Sequence, residues 1–174
     1  MFTLMTAAGD DTFGEDALAC ADALFHLARH LAGNAAEAED LVQETYARAF
    51  AASHQYTAGT NLKAWMMRIL RNLFVDQRRR AKNDPTSTHL GDDEPPPGAV
   101  RHDDFAVEAF RRVVAEEVAS AMDDLSEEHR TAILLDAEGM TEKEVATVLD
   151  CSIGTVKSRL SRARAALRAR LGVR

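Results

Sequence analysis

A chain of 174 residues has room for one domain or two small ones. It has two cysteines, no apolar run of membrane-spanning length and no basic start before an apolar core. It is therefore not expected to be a disulfide scaffold, a membrane-spanning protein or a secreted one, and a reducing cytoplasm fits it best. The net charge of −7 is strongly segregated, with Lys and Arg concentrated in 46–82 and 151–174 and the acids in 1–45 and 83–150.

Residues 1–12 show no helical period and are expected to be disordered. The first helix is expected to begin near Phe13 to Ala17 and run to His30, burying Leu18, Ala21, Leu24, Phe25, Ala28 and Leu31. Gly33 suits its C-terminal stop. Asn34 suits the next N-cap, with Glu37 at the capping-box position. The second helix, from Ala35 to about Ser53, buries Ala38, Leu41, Val42, Thr45, Tyr46, Ala49 and Phe50 and exposes Asp40, Gln43 and Glu44. A turn at Tyr56–Asn61 follows. Thr60 or Asn61 can cap a third helix reaching about Lys82, with Leu62, Trp65, Met66, Ile69, Leu70 and Leu73 as its stripe and Arg68, Arg71, Arg78, Arg79 and Arg80 outside it.

The stretch 84–104 holds all four prolines and no periodicity, and reads as a flexible acidic linker. Beyond it, Phe105, Phe110, Val113, Val114, Val118, Ala121 and Met122 mark a helix ending before Leu125. Ser126 is the expected cap of the next, which buries Ile133 and Leu134 and stops at Gly139. Thr141 and Glu144 form a capping box that opens a short helix carrying Val145, Val148 and Leu149. After Cys151-Ser152 comes a long basic helix with Ile153, Val156, Leu160, Ala163 and Leu167 on one face. The expected class is all-α: two small helical domains, 13–83 and 105–174, joined by a flexible linker.

A short helix, a tight turn and a basic second helix are what helix-turn-helix reading of the DNA major groove requires. One basic run alone can be a solvated helix face; two, one of them ending such a motif, favour a nucleic-acid footprint. On the basic helix, Lys157, Ser158, Ser161 and Arg162 share one face, opposite Val156, Leu160 and Ala163. Thr155 lies at its N-terminus, where a hydroxyl and free amides suit a phosphate. Arg159 and Arg164 are placed to touch phosphates or to brace the helix. Trp65 and Tyr46 sit on apolar stripes and read as core, whereas Tyr56 lies outside any stripe and suits base stacking and packing equally. Cys20, His26 and His30 lack a further ligand, so no metal and no cofactor is expected. There is no nucleophile–base pair or phosphate loop, so no enzyme is expected.

Four segments in order resemble the bacterial sigma-70-type factors of the extracytoplasmic-function class: AEDLVQETYARAF (38–50), YTAGTNLKAWMMRILRNLFVDQRRR (56–80), LSEEHRTAILL (125–135) and MTEKEVATVLDCSIGTVKSRLSRAR (140–164). The first two look like the three-helix region 2 module and the last two like the region 4 helix-turn-helix module. The resemblance implies that Asp40, Leu41, Gln43 and Glu44 dock on the clamp coiled coil of core RNA polymerase. It implies that the turn bearing Tyr56, Thr57, Gly59, Thr60 and Asn61 holds a flipped base of the promoter −10 element. Asn72 would read the upstream edge of that element, and Arg68, Arg71, Arg78 and Arg79 would contact backbone. It also implies that Thr155, Lys157, Ser158, Arg159, Ser161 and Arg162 contact the −35 element. Many family members carry a larger residue where Ser161 stands.

The reading is a cytoplasmic transcription initiation factor whose partners are core polymerase, promoter DNA and an anti-sigma factor, with no membrane contact of its own. One alternative is a conventional helix-turn-helix regulator that acts without forming a holoenzyme, its N-terminal half being a sensor or dimerisation domain. Another is a helical interaction module whose basic helices are merely solvated. Because the acidic run 116–144 and the basic helix 63–82 carry opposite charge, the free chain is also expected to close on itself at low salt.

Overall fold

The computed structural model describes residues 8–83 and 105–172, with side chains over 12–81 and 114–172. Its elements are α1 (Ala8–Leu18), α2 (Ala21–Ala32), α3 (Ala35–Ala51), a short 3₁₀ turn (Ser53–Gln55), α4 (Leu62–Asn83), α5 (Phe105–Asp123), α6 (Glu127–Ala137), α7 (Glu142–Leu149) and α8 (Ile153–Leu171). The linker 84–104 and residues 1–7 lie outside the described residues.

The helix expected to run unbroken to His30 is two helices, so the N-terminal half holds four rather than three. The carbonyl of Ala17 accepts from the Cys20 amide (3.0 Å) and from the Tyr46 hydroxyl on α3 (2.9 Å), which ends the α1 ladder. The break turns Leu18, expected in the core, outward at 65 % exposed, and brings Ala17, Cys20 and Ala23 inward. α1 also begins at Ala8, inside the stretch expected to be disordered. Phe50, expected to be buried, overhangs the end of α3 at 47 % exposed, packed edge-on to Phe13 (5.7 Å) and stacked with Tyr46 (6.3 Å).

Local signals set most other boundaries. Gly33 takes a left-handed conformation (φ 85°) and its amide returns to Arg29, ending α2. The Asn34 side chain accepts from the Glu37 amide at 2.8 Å and starts α3. Such caps are worth about 1 kcal/mol each. Ser126 sits at the N-cap of α6, but its side chain makes no cap bond. Val114, Val118 and Ile153, all expected on buried faces, are exposed.

The buried residues form one continuous cluster that spans both halves. Leu24, Leu41, Met66, Met67 and Leu70 come from the N-terminal half, and Leu135, Val145, Val148 and Val156 from the C-terminal one. α4 packs on α7 and α2 on α6. Truncating a fully buried residue such as Leu70 to Ala would cost about 2–5 kcal/mol.

Candidate nucleic-acid and polymerase interface

Three exposed surfaces carry the residues singled out in the sequence. On α3, Asp40, Gln43 and Glu44 face solvent, and Glu44 pairs with Arg48 one turn on at 2.9 Å. Leu41 is 1 % exposed and belongs to the core, so it holds α3 in place and has no surface to offer a partner.

The second surface is the 56–61 turn with α4. Tyr56 is half-buried: its ring packs on Trp65 (5.6 Å) and Phe13 (5.9 Å), and its hydroxyl donates to the Thr60 carbonyl. Packing thus occupies the ring that sequence left equally open to stacking. The Thr60 hydroxyl donates to the Thr57 carbonyl at 2.7 Å, and Gly59 turns with φ 85°, a conformation that favours glycine. Thr57, Ala58, Gly59 and Thr60 are exposed. Asn61 caps α4, accepting from the Ala64 amide at 3.1 Å. Arg68, Asn72 and Arg79 lie along one exposed stripe of α4. Arg71 does not share it: it lines a groove with Phe74, Leu149 and Arg159, between the two halves.

The third surface is α8. Ser152 accepts from the Thr155 amide at 3.1 Å and starts the helix. Asp150, the one non-glycine with positive φ among the described residues (φ 51°), makes the turn before it. Lys157, Ser161 and Arg162 are exposed; Ser158 and Thr155 are half-buried. The Arg159 side chain is 19 % exposed, with an ion pair to Glu128 at 2.9 Å and a contact to the Cys151 thiol at 3.7 Å. Arg164 pairs with Asp136 at 2.6 Å and Arg170 with Asp124 at 3.0 Å. These three arginines brace α8 against α6 and the turn that follows α5.

Residues 18–83 match the sigma-70 region 2 family and residues 115–167 the sigma-70 region 4 family. The chain belongs to the sigma-70 family. It is 38 % identical over 167 residues to the ECF RNA polymerase sigma factor EcfG of Rhodopseudomonas palustris (strain TIE-1), covering 94 % of this chain and 87 % of that one. It is 35 % identical over 155 residues to the ECF RNA polymerase sigma factor SigE of Mycolicibacterium smegmatis, covering 85 % of this chain and 57 % of that one. Among solved structures it resembles the sigma factor RpoE in complex with the anti-sigma factor NepR from Bartonella quintana, with TM-score 0.74 and 34 % identity over 93 % of this chain and 98 % of that one. It also resembles CnrH in complex with the cytosolic domain of CnrY, with TM-score 0.63 and 28 % identity over 92 % and 87 %. The extracytoplasmic-function class is thereby established, and with it an RNA polymerase sigma factor, a promoter-specific initiation factor. The region 2 match disfavours the alternative of a regulator that forms no holoenzyme.

Sequence reasoning about this sigma factor missed the polar seam between its halves. The Asn61 amide donates to Glu144 at 2.8 Å, Lys63 donates to the Glu138 carbonyl at 2.6 Å and pairs with its carboxylate at 3.4 Å, and Arg78 pairs with Glu127. Opposite charge in the two runs foretold attraction but not these partners. Of the His and Cys set on the first helices, the Cys20 thiol donates to the Asp16 carbonyl at 3.3 Å, and His26 faces Glu138 at 3.8 Å. His30 is pushed down to about 4, first by burial and then by Arg130. No helix among the described residues is long and apolar enough to cross a membrane.

Proposed function

We propose that this sigma factor binds core RNA polymerase through Asp40, Gln43 and Glu44, with Leu41 fixing their helix. The turn at Tyr56, Thr57, Gly59, Thr60 and Asn61 takes a flipped −10 base, with Asn72 and Arg68 along the adjoining strand, while Arg71 stays in the groove between the halves. The α8 face of Lys157, Ser158, Ser161 and Arg162 reads the −35 element in the major groove, with Thr155 at a phosphate and Arg159 as a brace. The protein works in the cytoplasm and is held by an anti-sigma factor, as the structurally similar RpoE and CnrH are each seen with a partner. Bond-making is left to the polymerase.

One observation supports this reading most. The acidic α3 face, the 56–61 turn and the Lys157–Arg162 face of α8 are separate exposed surfaces, each built on a capped helix. The test is run-off transcription with purified core enzyme on a genomic fragment library. Discrete starts that require the protein support the proposal. Duplex binding with no start dependent on core enzyme would refute it.

A further inference from the structure

The middle of the 56–61 turn has nothing to lean on. Thr57, Ala58, Gly59 and Thr60 are exposed, and beyond its chain neighbours nothing comes within 4 Å of where a side chain at Gly59 would start. The turn is therefore shaped from within and from its ends. Within it, the Thr60 hydroxyl and amide both donate to the Thr57 carbonyl, at 2.7 and 3.2 Å. At its far end Asn61 caps α4 through the Ala64 amide. At its near end the Tyr56 hydroxyl straps the turn by donating to the Thr60 carbonyl. A hydrogen bond weakens steeply with misalignment, so this strap holds only while the Tyr56 ring keeps its place.

Four rings meet beside the turn, and Phe13 touches the other three. Its centroid lies 5.7 Å from Phe50 at the end of α3, 5.9 Å from Tyr56 and 6.3 Å from Trp65 in the first turn of α4. The rings meet at 79°, 53° and 73°, the edge-to-face range that aromatic pairs prefer. Tyr56 and Trp65 are themselves 5.6 Å apart, so the Tyr56 ring is held from two sides. Phe13 is presented by α1, and it lies ahead of residue 18, where the region 2 match begins. The family's residue roles therefore do not reach it. α1 is anchored independently of the rings. Ala17, one helical turn after Phe13 and on the same face, is fully buried, and its carbonyl accepts from the Tyr46 hydroxyl at 2.9 Å.

We infer that Phe13 is a positioning residue for promoter opening: from α1 it holds the Tyr56 ring on Trp65, so that the 56–61 turn has its strand-accepting shape before DNA arrives. The inference rests on the assignment of that turn to the −10 element. A turn that must first be shaped binds with its intrinsic affinity reduced by the fraction already in shape. Phe13 raises that fraction without touching DNA.

The experiment uses the full chain, free and as holoenzyme, with a promoter fragment recovered by run-off transcription. Trp65 is the chain's one tryptophan, so its emission in the free protein reports on the ring cluster. In the holoenzyme the readouts are permanganate reactivity of melted thymines and capture of a duplex bearing the −35 half alone. Phe13→Ala should shift Trp65 emission and lower permanganate reactivity roughly two- to tenfold, the factor to which one lost aromatic pair corresponds. Capture through the −35 half should not change. Phe13→Tyr keeps the ring and should restore both altered readouts. Leu24→Ala opens a cavity in the core on α2 and lowers Tm, yet should leave reactivity at the wild-type level at a temperature where melting curves show every variant folded. Wild-type reactivity in Phe13→Ala overturns the inference. So does unchanged Trp65 emission, or an equal loss of reactivity in Leu24→Ala, which would make Phe13 an ordinary contributor to stability. If a Gly-Ser replacement of 56–61 also leaves the permanganate footprint intact, the fault lies in the turn assignment instead.

Discussion

Arg162 and Arg159 lie three residues apart on one helix in opposite surroundings, and paired substitutions separate the roles proposed for them. Arg162 is exposed on the Lys157–Ser161 face and has no acid partner among the described residues. Its planar fork is free to pair with guanine O6 and N7. Arg162→Ala should cost about 1–3 kcal/mol on the preferred −35 sequence, which is roughly 5- to 150-fold in affinity, and flatten preference at one base. The Arg159 side chain is 19 % exposed, and its partner Glu128 is 69 % exposed. Solvent screens that pair, so Arg159→Ala should remove only about 0.5–1 kcal/mol of stability. For a chain of this size that lowers Tm by roughly 1–4 °C. It should leave base preference alone. The assay is holoenzyme competition between duplexes that differ at single −35 positions, at two salt concentrations, alongside melting curves. A changed base preference with unchanged Tm in Arg159→Ala, or equal weakening of every sequence by Arg162→Ala, would refute the division of roles.

Asp40→Lys with Glu44→Lys should abolish capture of core polymerase in a pull-down. The fold should survive, because the only pair lost among the described residues, Glu44–Arg48, is about half exposed at both ends. Wild-type capture would sink the assignment. Replacing 56–61 by a Gly-Ser loop of equal length should preserve −35 binding and eliminate permanganate reactivity of melted thymines; a normal footprint would count against the turn as a base trap. His30 gives a pH prediction. Its folded value, about 4, lies below the ordinary 6.5, so the unfolded chain binds more protons between those limits. Its contribution is present above pH 6.5 and is lost as pH falls toward 4. Protonation there would set a charge beside Arg130, only partly offset by Asp123 and Glu127. Chemical denaturation at pH 7 and pH 5 should show a smaller loss in His30→Asn than in wild type, and equal losses would refute the linkage.

What sequence showed was what is local. The Thr141–Glu144 box, the Asn34 cap and the Gly33 stop each depend on residues three or four apart, and each stands where its spacing places it. The helix-turn-helix is a run of such signals. What stayed hidden depends on distance. The break after Leu18 is held by Tyr46, twenty-nine residues from the Ala17 carbonyl it reaches. The second partner of Glu144 is eighty-three residues away. Periodicity left Arg159 open to phosphate contact or to bracing, and only the docking of α6 shows that Glu128 claims it. Val118 has a stripe's spacing and remains exposed, because a pattern marks a face and packing decides whether anything covers it.

The same long-range pairing explains how a protein of net charge −7 can carry a DNA-reading helix. On α8, Lys157, Arg159, Arg164 and Arg170 each have an acid within the C-terminal half, namely Glu142, Glu128, Asp136 and Asp124. A cation already matched by a protein carboxylate releases fewer counterions when it meets a phosphate. The acids therefore orient the helix while lowering its sequence-independent attraction to DNA. On the proposed function that is an advantage. A free sigma factor with strong non-specific affinity would be spread over the chromosome, whereas one whose cations are mostly matched depends on core polymerase to bring it to a promoter. It then discriminates with the few side chains left unmatched, Arg162 foremost.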